Sequence, residues 1–94
     1  MKLRRKADGI HMMDGEGREM GYVLLRPAGG DRVEIVSTVV QQQMRGQGLA
    51  AQLLEAAAAE LRSQGQRAVP VCSYAAAWFA RHPEQGDLLA RRED

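Results

Sequence analysis

The stretch VVQQQMRGQGLAAQLL, residues 39–54, carries a strand-like run into a helix-like one through Gly46 and Gly48. Its flanks decide the fold. Upstream, RVEIVSTVV (32–40) holds the β-branched Val33, Ile35, Val36, Val39 and Val40, and PAGGD (27–31) supplies the turn before it. Downstream, Leu49, Ala50, Leu53, Leu54, Ala57 and Leu61 recur at helical spacing, opposite Gln52, Glu55 and Arg62. A helix is therefore predicted over 49–64, with Gly65 as the left-handed residue that closes it. RAVPVC (67–72) is the next strand-like run. Strand, helix and strand make a βαβ unit, with parallel strands and a right-handed crossover.

Working back towards residue 1, IHMM (10–13) and REMGYVLLRP (18–27) flank the turn cluster DGEG (14–17) and predict a hairpin. Beyond the βαβ unit, Ser73 is placed to cap a last helix, YAAAWFARH, that stops at Pro83. The polar tail from Glu84 is expected to fray. The fold class is α+β: a mixed sheet of about four strands, three antiparallel and the last parallel, with two helices. At 94 residues the chain is read as one domain, 1–94, with a modest core.

Composition narrows the function classes. Thirteen Lys and Arg against 12 Asp and Glu leave a formal net charge of +1, which gives no electrostatic case for nucleic acid. MKLRRKADG is basic, but no signal-like apolar run follows it, and no stretch is long and apolar enough to span a membrane. One cysteine, Cys72, excludes an internal disulfide, and with two histidines makes a poor metal set. No metal is expected. A cytoplasmic, reduced location is.

The chemistry points back to Gly46 and Gly48. A helix start leaves N–H groups unpaired and carries partial positive charge, so a strand that turns through glycine into it offers an anion site. The loop lacks Gly-Lys-Ser/Thr, so it is not a nucleotide triphosphate loop. Ala51 stands where a dinucleotide loop has its third glycine, and no acidic residue closes a second strand at the required distance. What remains is Gln43, two residues, Gly46, one residue, then Gly48.

That pattern resembles the pyrophosphate loop of the GCN5-related N-acetyltransferase superfamily, which uses acetyl-coenzyme A. A fuller likeness is to the small YjdJ-like acetyltransferase group. Its members carry a strand ending in His-Thr, then RGQGIA, Pro-x-Cys-x-Tyr and Arg-His-Pro-Glu. Here Thr38, RGQGLA (45–50), PVCSY (70–74) and RHPE (81–84) stand in that order. One position departs: Ser37 replaces the histidine of the His-Thr pair, and serine is no base near neutral pH.

The resemblance implies that Gln43, Met44, Arg45, Gly46, Gln47, Gly48, Leu49 and Ala50 bind the coenzyme pyrophosphate. It implies that the backbone of Val39 and Val40 pairs with the pantetheine arm as an added strand. It also implies strands that splay beside Pro70, whose missing N–H suits one lip of the gap. Cys72 falls near the thioester, where it is either an acetyl-accepting thiol or a small buried residue. Tyr74 is either a general acid for the departing thiolate or a packing partner of Trp78. Glu34 is either a base acting through water or an exposed strand glutamate. His82 is accounted for by the helix dipole, and His11 is read as a strand residue.

DGEG stands where superfamily members insert acceptor-binding helices, and the chain stops before their last strands. The acceptor side should be open, or completed by a second copy, so both monomer and homodimer are retained. The implied reaction moves an acetyl group to an unidentified amine, a protein amine being suited to an open site. The alternatives are a coenzyme A binding module with little turnover and a structural partner with a non-binding turn.

Overall fold

The computed structural model describes residues 2–91. The elements are β1 (Lys2–Lys6), β2 (Gly9–Met13), β3 (Glu19–Pro27), β4 (Arg32–Val40), α1 (Leu49–Ser63), β5 (Arg67–Pro70) and α2 (Ser73–Arg81), with short 3-10 turns over Gln42–Met44 and Pro83–Leu88. They build one mixed sheet in the order β1-β2-β3-β4-β5, antiparallel except for the parallel β4–β5 pair. The α+β architecture and the βαβ unit stand as expected, but the count of about four strands is corrected to five.

The added strand, β1, is KLRRK, exposed along its whole length. It pairs with β2 through backbone bonds, with the Arg5 guanidinium also donating to the Gly9 carbonyl at 3.1 Å, and it has no apolar alternation to betray it. The hairpin turns through Ala7 and Asp8 into Gly9, whose φ is +154°. A Cβ there would sit 1.9 Å from the Val23 carbonyl oxygen, so only glycine fits.

The core is set by strand alternation. Ile10, Met12, Val23, Leu25, Val33 and Ile35 are buried, together with Leu49, Leu53, Leu54, Ala57, Ala58 and Leu61 of α1. Leu53, Leu54 and Leu61 are almost fully enclosed, each stabilising the fold by about 2 to 3 kcal/mol through apolar burial. Between β3 and β4 the register slips: Leu25 pairs with Ile35, but Leu24 pairs with Ser37, which leaves Val36 as a bulge. Past that bulge Thr38 and Val40, opposite Val23 and Gly21, take the helix-facing side.

α1 ends where predicted, with Gly65 left-handed at φ +67°. α2 corrects the expected cap. Its N-cap is Cys72, not Ser73, and the Cys72 sulfur accepts from the Ala75 N–H at 3.3 Å. The expected fraying from Glu84 is also corrected over the described part of the tail. Leu88 is buried, the Ala90 N–H donates to the Ala68 carbonyl at 2.8 Å, and Asp87 pairs with Arg62 at 2.7 Å. The rest of that tail, 92–94, lies outside the described residues.

Candidate functional site

The parallel pairing of β4 with β5 runs only from Arg32–Arg67 to Ile35–Pro70. Pro70 has no N–H to extend it. The next two N–H groups, of Val71 and Cys72, both donate to the Ile35 carbonyl, at 3.0 and 3.1 Å. The chain then turns into α2 while β4 continues through Val36–Val40 with no strand on that side. A cleft of about 600 Å³ opens at the divergence. Thr38, Val39 and Val40 form one wall, Met44, Arg45, Gly46, Gly48, Leu49 and Ala50 the floor, and Tyr74 the far lip.

The loop under the cleft is tied down at its start. Gln41 donates from its backbone to the Met20 carbonyl at 2.9 Å and from its side chain to the Glu19 carbonyl at 3.2 Å. Gln42–Met44 form one 3-10 turn, and Gly46 and Gly48 follow with φ of +86° and +74°. No atom lies within 4 Å of the place a Cβ would occupy on either glycine, so the space above the turn is free. Gly48 is the N-cap of α1, so no side chain caps this helix, and its first turn holds no acidic residue. The unpaired N–H groups and the positive end of the dipole therefore face the cleft uncompensated. Arg45 adds a guanidinium with no hydrogen bond or ion pair among the described residues. Together these favour an anion.

The Thr38 hydroxyl and the Cys72 sulfur lie 3.6 Å apart and tie the Thr38 wall of β4 to the N-cap of α2. Cys72 is half-buried, its sulfur engaged by both Thr38 and the Ala75 N–H. Tyr74 is 52% exposed. Trp78 makes its ring contacts with Phe79 and His82 rather than with Tyr74. Val39, Val40, Met44, Arg45, Gly46, Gly48, Leu49, Ala50 and Tyr74 are thus brought to one cleft, with Cys72 bonded to its Thr38 wall. Gln43 and Gln47 sit in the same loop with exposed side chains. Glu34 is apart from it: it pairs across the strands with Arg26 at 2.6 Å and does not line the cleft. Ser37 does not line it either.

One cluster escaped the sequence reading. His11 is only 8% exposed, stacks on Tyr22 and meets a carboxylate at each ring nitrogen: Asp8 at Nε2, 2.8 Å away, and Glu19 at Nδ1. A neutral imidazole has one N–H, and two carboxylate acceptors call for two, so the charged form fits the site. The Glu19 hydrogen bond, then that of Asp8, raises the His11 pKa against the opposing effect of burial. The hydrogen bond from His11 lowers that of Asp8. The signal lay in the hairpin register, which sets His11 beside Tyr22 and near Glu19. Among the described residues no group of side chains is arranged to hold a metal ion, and no helix is long and apolar enough to cross a membrane.

Residues 10–88 match the family model of the GCN5-related N-acetyl-transferases. Among solved structures, the fold is similar to that of a GCN5-like protein from Staphylococcus aureus determined by NMR. The TM-score is 0.77 at 20% identity, over 98% of this chain and 90% of that one. It is also similar to the GNAT family N-acetyltransferase YhbS from Escherichia coli, solved in complex with CoA. There the TM-score is 0.58 at 32% identity, over 62% of this chain and 35% of that one. None of the curated proteins matches the chain. The family match runs from β2 through the glycine turn and α2, taking in both walls and the floor of the cleft, and so the chain belongs to the GCN5-related N-acetyltransferase family.

Proposed function

We propose that the protein binds acetyl-coenzyme A in the cleft and transfers its acetyl group to an amine. The observation that carries this reading is the uncapped, glycine-closed start of α1, opening with the unpaired Arg45 onto the gap between β4 and β5. In this reading the N–H groups of residues 46–50 and the Arg45 guanidinium hold the pyrophosphate. The free edge of β4 over Val36–Val40 receives the pantetheine amides as an added strand. The acetyl thioester then lies towards Thr38 and Cys72. The amine nitrogen bonds to the thioester carbon and gives up a proton to solvent, the carbon–sulfur bond breaks, and the departing thiolate takes a proton from Tyr74, which is reprotonated from solvent. The two-residue Ala7–Asp8 link joins the first two strands, in place of the Asp14–Gly17 segment expected to stand for the acceptor helices. Outward side chains of β3 and β4, among them Tyr22, Leu24, Ser37 and Val39, are half-buried or exposed. That open side suits a protein amine. Thr38, RGQGLA, PVCSY and RHPE support placing the chain in the small YjdJ-like group, and the absence of any spanning helix among the described residues is compatible with a cytoplasmic location.

A second reading, a coenzyme A binding module with little turnover, is favoured by one observation. The cleft lining contains no carboxylate and no imidazole, and Glu34 is held by Arg26 outside it. Calorimetric titration with acetyl-coenzyme A, followed by intact mass and by assay on trial amines and lysine peptides, tests both. Binding with acetylated product supports transfer. Binding without product supports the module. No binding at millimolar ligand overturns both.

A further inference from the structure

β1 stands at one end of the sheet order, so one of its long edges pairs with β2 and the other borders no strand. In a strand paired on one side only, alternate residues turn their N–H and C=O groups outward, where another chain can take them up. The side chains of this edge are sorted by face. Leu3 and Arg5 sit opposite the buried Met12 and Ile10, on the side of α1, and Arg5 is occupied there by Glu60 and by the Gly9 carbonyl. Lys2, Arg4 and Lys6 alternate onto the other side, with Arg4 across from His11. None of these three side chains makes an ion pair or hydrogen bond among the described residues. Beside them a recess of about 410 Å³ opens between Lys2 and Arg4 on one wall and Met13, Asp14 and Gly17 on the other. Its carboxylate, Asp14, is already held by the Arg18 guanidinium and by the N–H groups of Glu16 and Arg18. The recess therefore offers two free cations beside the half-buried Met13.

We propose that the free edge of β1 docks an acidic, extended segment of another protein, which adds to the sheet as a sixth strand. The open backbone edge supplies the hydrogen bonds of an added strand. Carboxylates at every second residue of such a segment fall about 7 Å apart, the spacing of Lys2, Arg4 and Lys6 along β1. Two other occupants fit less well. A second copy of β1, paired antiparallel about a two-fold at Arg4, sets Arg4 against Arg4 and Lys2 against Lys6, like charges directly opposite one another. The C-terminal end of the chain is remote, because Arg91 lies against Arg32 of β4, beyond β2 and β3 in the sheet. Cations along an edge discourage pairing between like edges, and an acidic strand turns the same cations from repulsion to attraction. The recess beside β1 shares no residue with the glycine-turn cleft, so docking here does not depend on coenzyme binding.

Fluorescence anisotropy with labelled peptides tests this. The probes are an extended peptide of alternating glutamate and valine, its counterpart with lysine for glutamate, and the acidic peptide N-methylated at every residue. The wild type should bind the first at least about tenfold more tightly than either of the others. The amides of β1 should exchange hydrogen more slowly when it is bound. Arg4→Glu should weaken the acidic peptide at least about tenfold, and Arg4→Gln should weaken it less. Reversing Lys2, Arg4 and Lys6 together to glutamate should shift the preference to the lysine peptide. Thermal melts accompany each variant, and a swap of preference is a readout that mere loss of β1 cannot produce. No binding of the acidic peptide at millimolar concentration overturns the inference, as does unchanged affinity in Arg4→Glu. Equal binding of the N-methylated peptide overturns the added strand, and equal binding of an oligothymidylate shows a general polyanion surface instead.

Discussion

His11 shows what a single side chain adds to this fold. Its pKa is raised above 6.5 by Glu19 and Asp8, so its charged form stabilises the folded chain. That stabilisation is fully present below pH 6.5 and is lost as pH rises through the folded-state value. Asp8 runs the other way: with a pKa lowered from 3.8, its contribution is present above pH 3.8 and is lost as pH falls through the lower folded value. The pair therefore predicts greatest benefit between pH 3.8 and 6.5. Melting temperatures of the wild type and His11→Gln should differ most there and converge as pH rises. A gap that stays constant to pH 9 rules the coupling out. Cys72 makes a second residue-scale case. It is the N-cap of α2, so Cys72→Ser should keep most of the stability and Cys72→Ala should lose about 1 kcal/mol in denaturant melts. The cap is therefore separable from acetylation of the sulfur, which either substitution removes. The left-handed turn at Gly46 and Gly48 was legible in the sequence because a glycine turn between a strand and a helix is a short-range pattern. The His11 cluster was not, because Asp8, His11 and Glu19 meet only once the hairpin register is known.

At the scale of elements, visibility followed apolar content. β4 and α1 announced themselves through Val33, Ile35, Leu53 and Leu54, which end in the core. β1 has only Leu3, itself 47% exposed, so its pairing with β2 rests on backbone bonds and on a turn that needs Gly9. The Val36 bulge was equally hidden, since it reflects how two strands pair rather than what either contains. Gly9 gives the element-scale prediction. A methyl group there meets backbone, the Val23 carbonyl, which cannot move aside as a flexible side chain would. Gly9→Ala should destabilise the protein by at least about 3 kcal/mol and detach β1, exposing its amides to hydrogen exchange. Gly15→Ala, in open space, serves as the neutral control. Equal stability of the two variants would show that β1 does not depend on this turn.

For the molecule as a whole, the cleft exists because β5 is shorter than β4. Pro70 hinted at that limit, but the width of the gap depends on where α2 begins and on the Thr38–Cys72 contact that ties it to β4. Nothing local encodes either. A domain of this size has a small core, so ligand binding should shift its stability visibly. At a free concentration of one hundred times Kd, a ligand confined to the native state adds about 2.7 kcal/mol. For a chain of this length that is a rise in Tm of roughly 10 to 20 °C. Saturating acetyl-coenzyme A should produce a rise of that order in the wild type. Arg45→Gln should keep the unliganded Tm, since its guanidinium supports no other residue among those described, and should shrink the rise. Gly46→Val should lower the unliganded Tm modestly through its positive φ and should abolish the rise, because its side chain would occupy the free space over the turn. A Gly46→Val protein whose Tm still climbs with ligand as the wild type does would place the coenzyme somewhere other than the glycine turn.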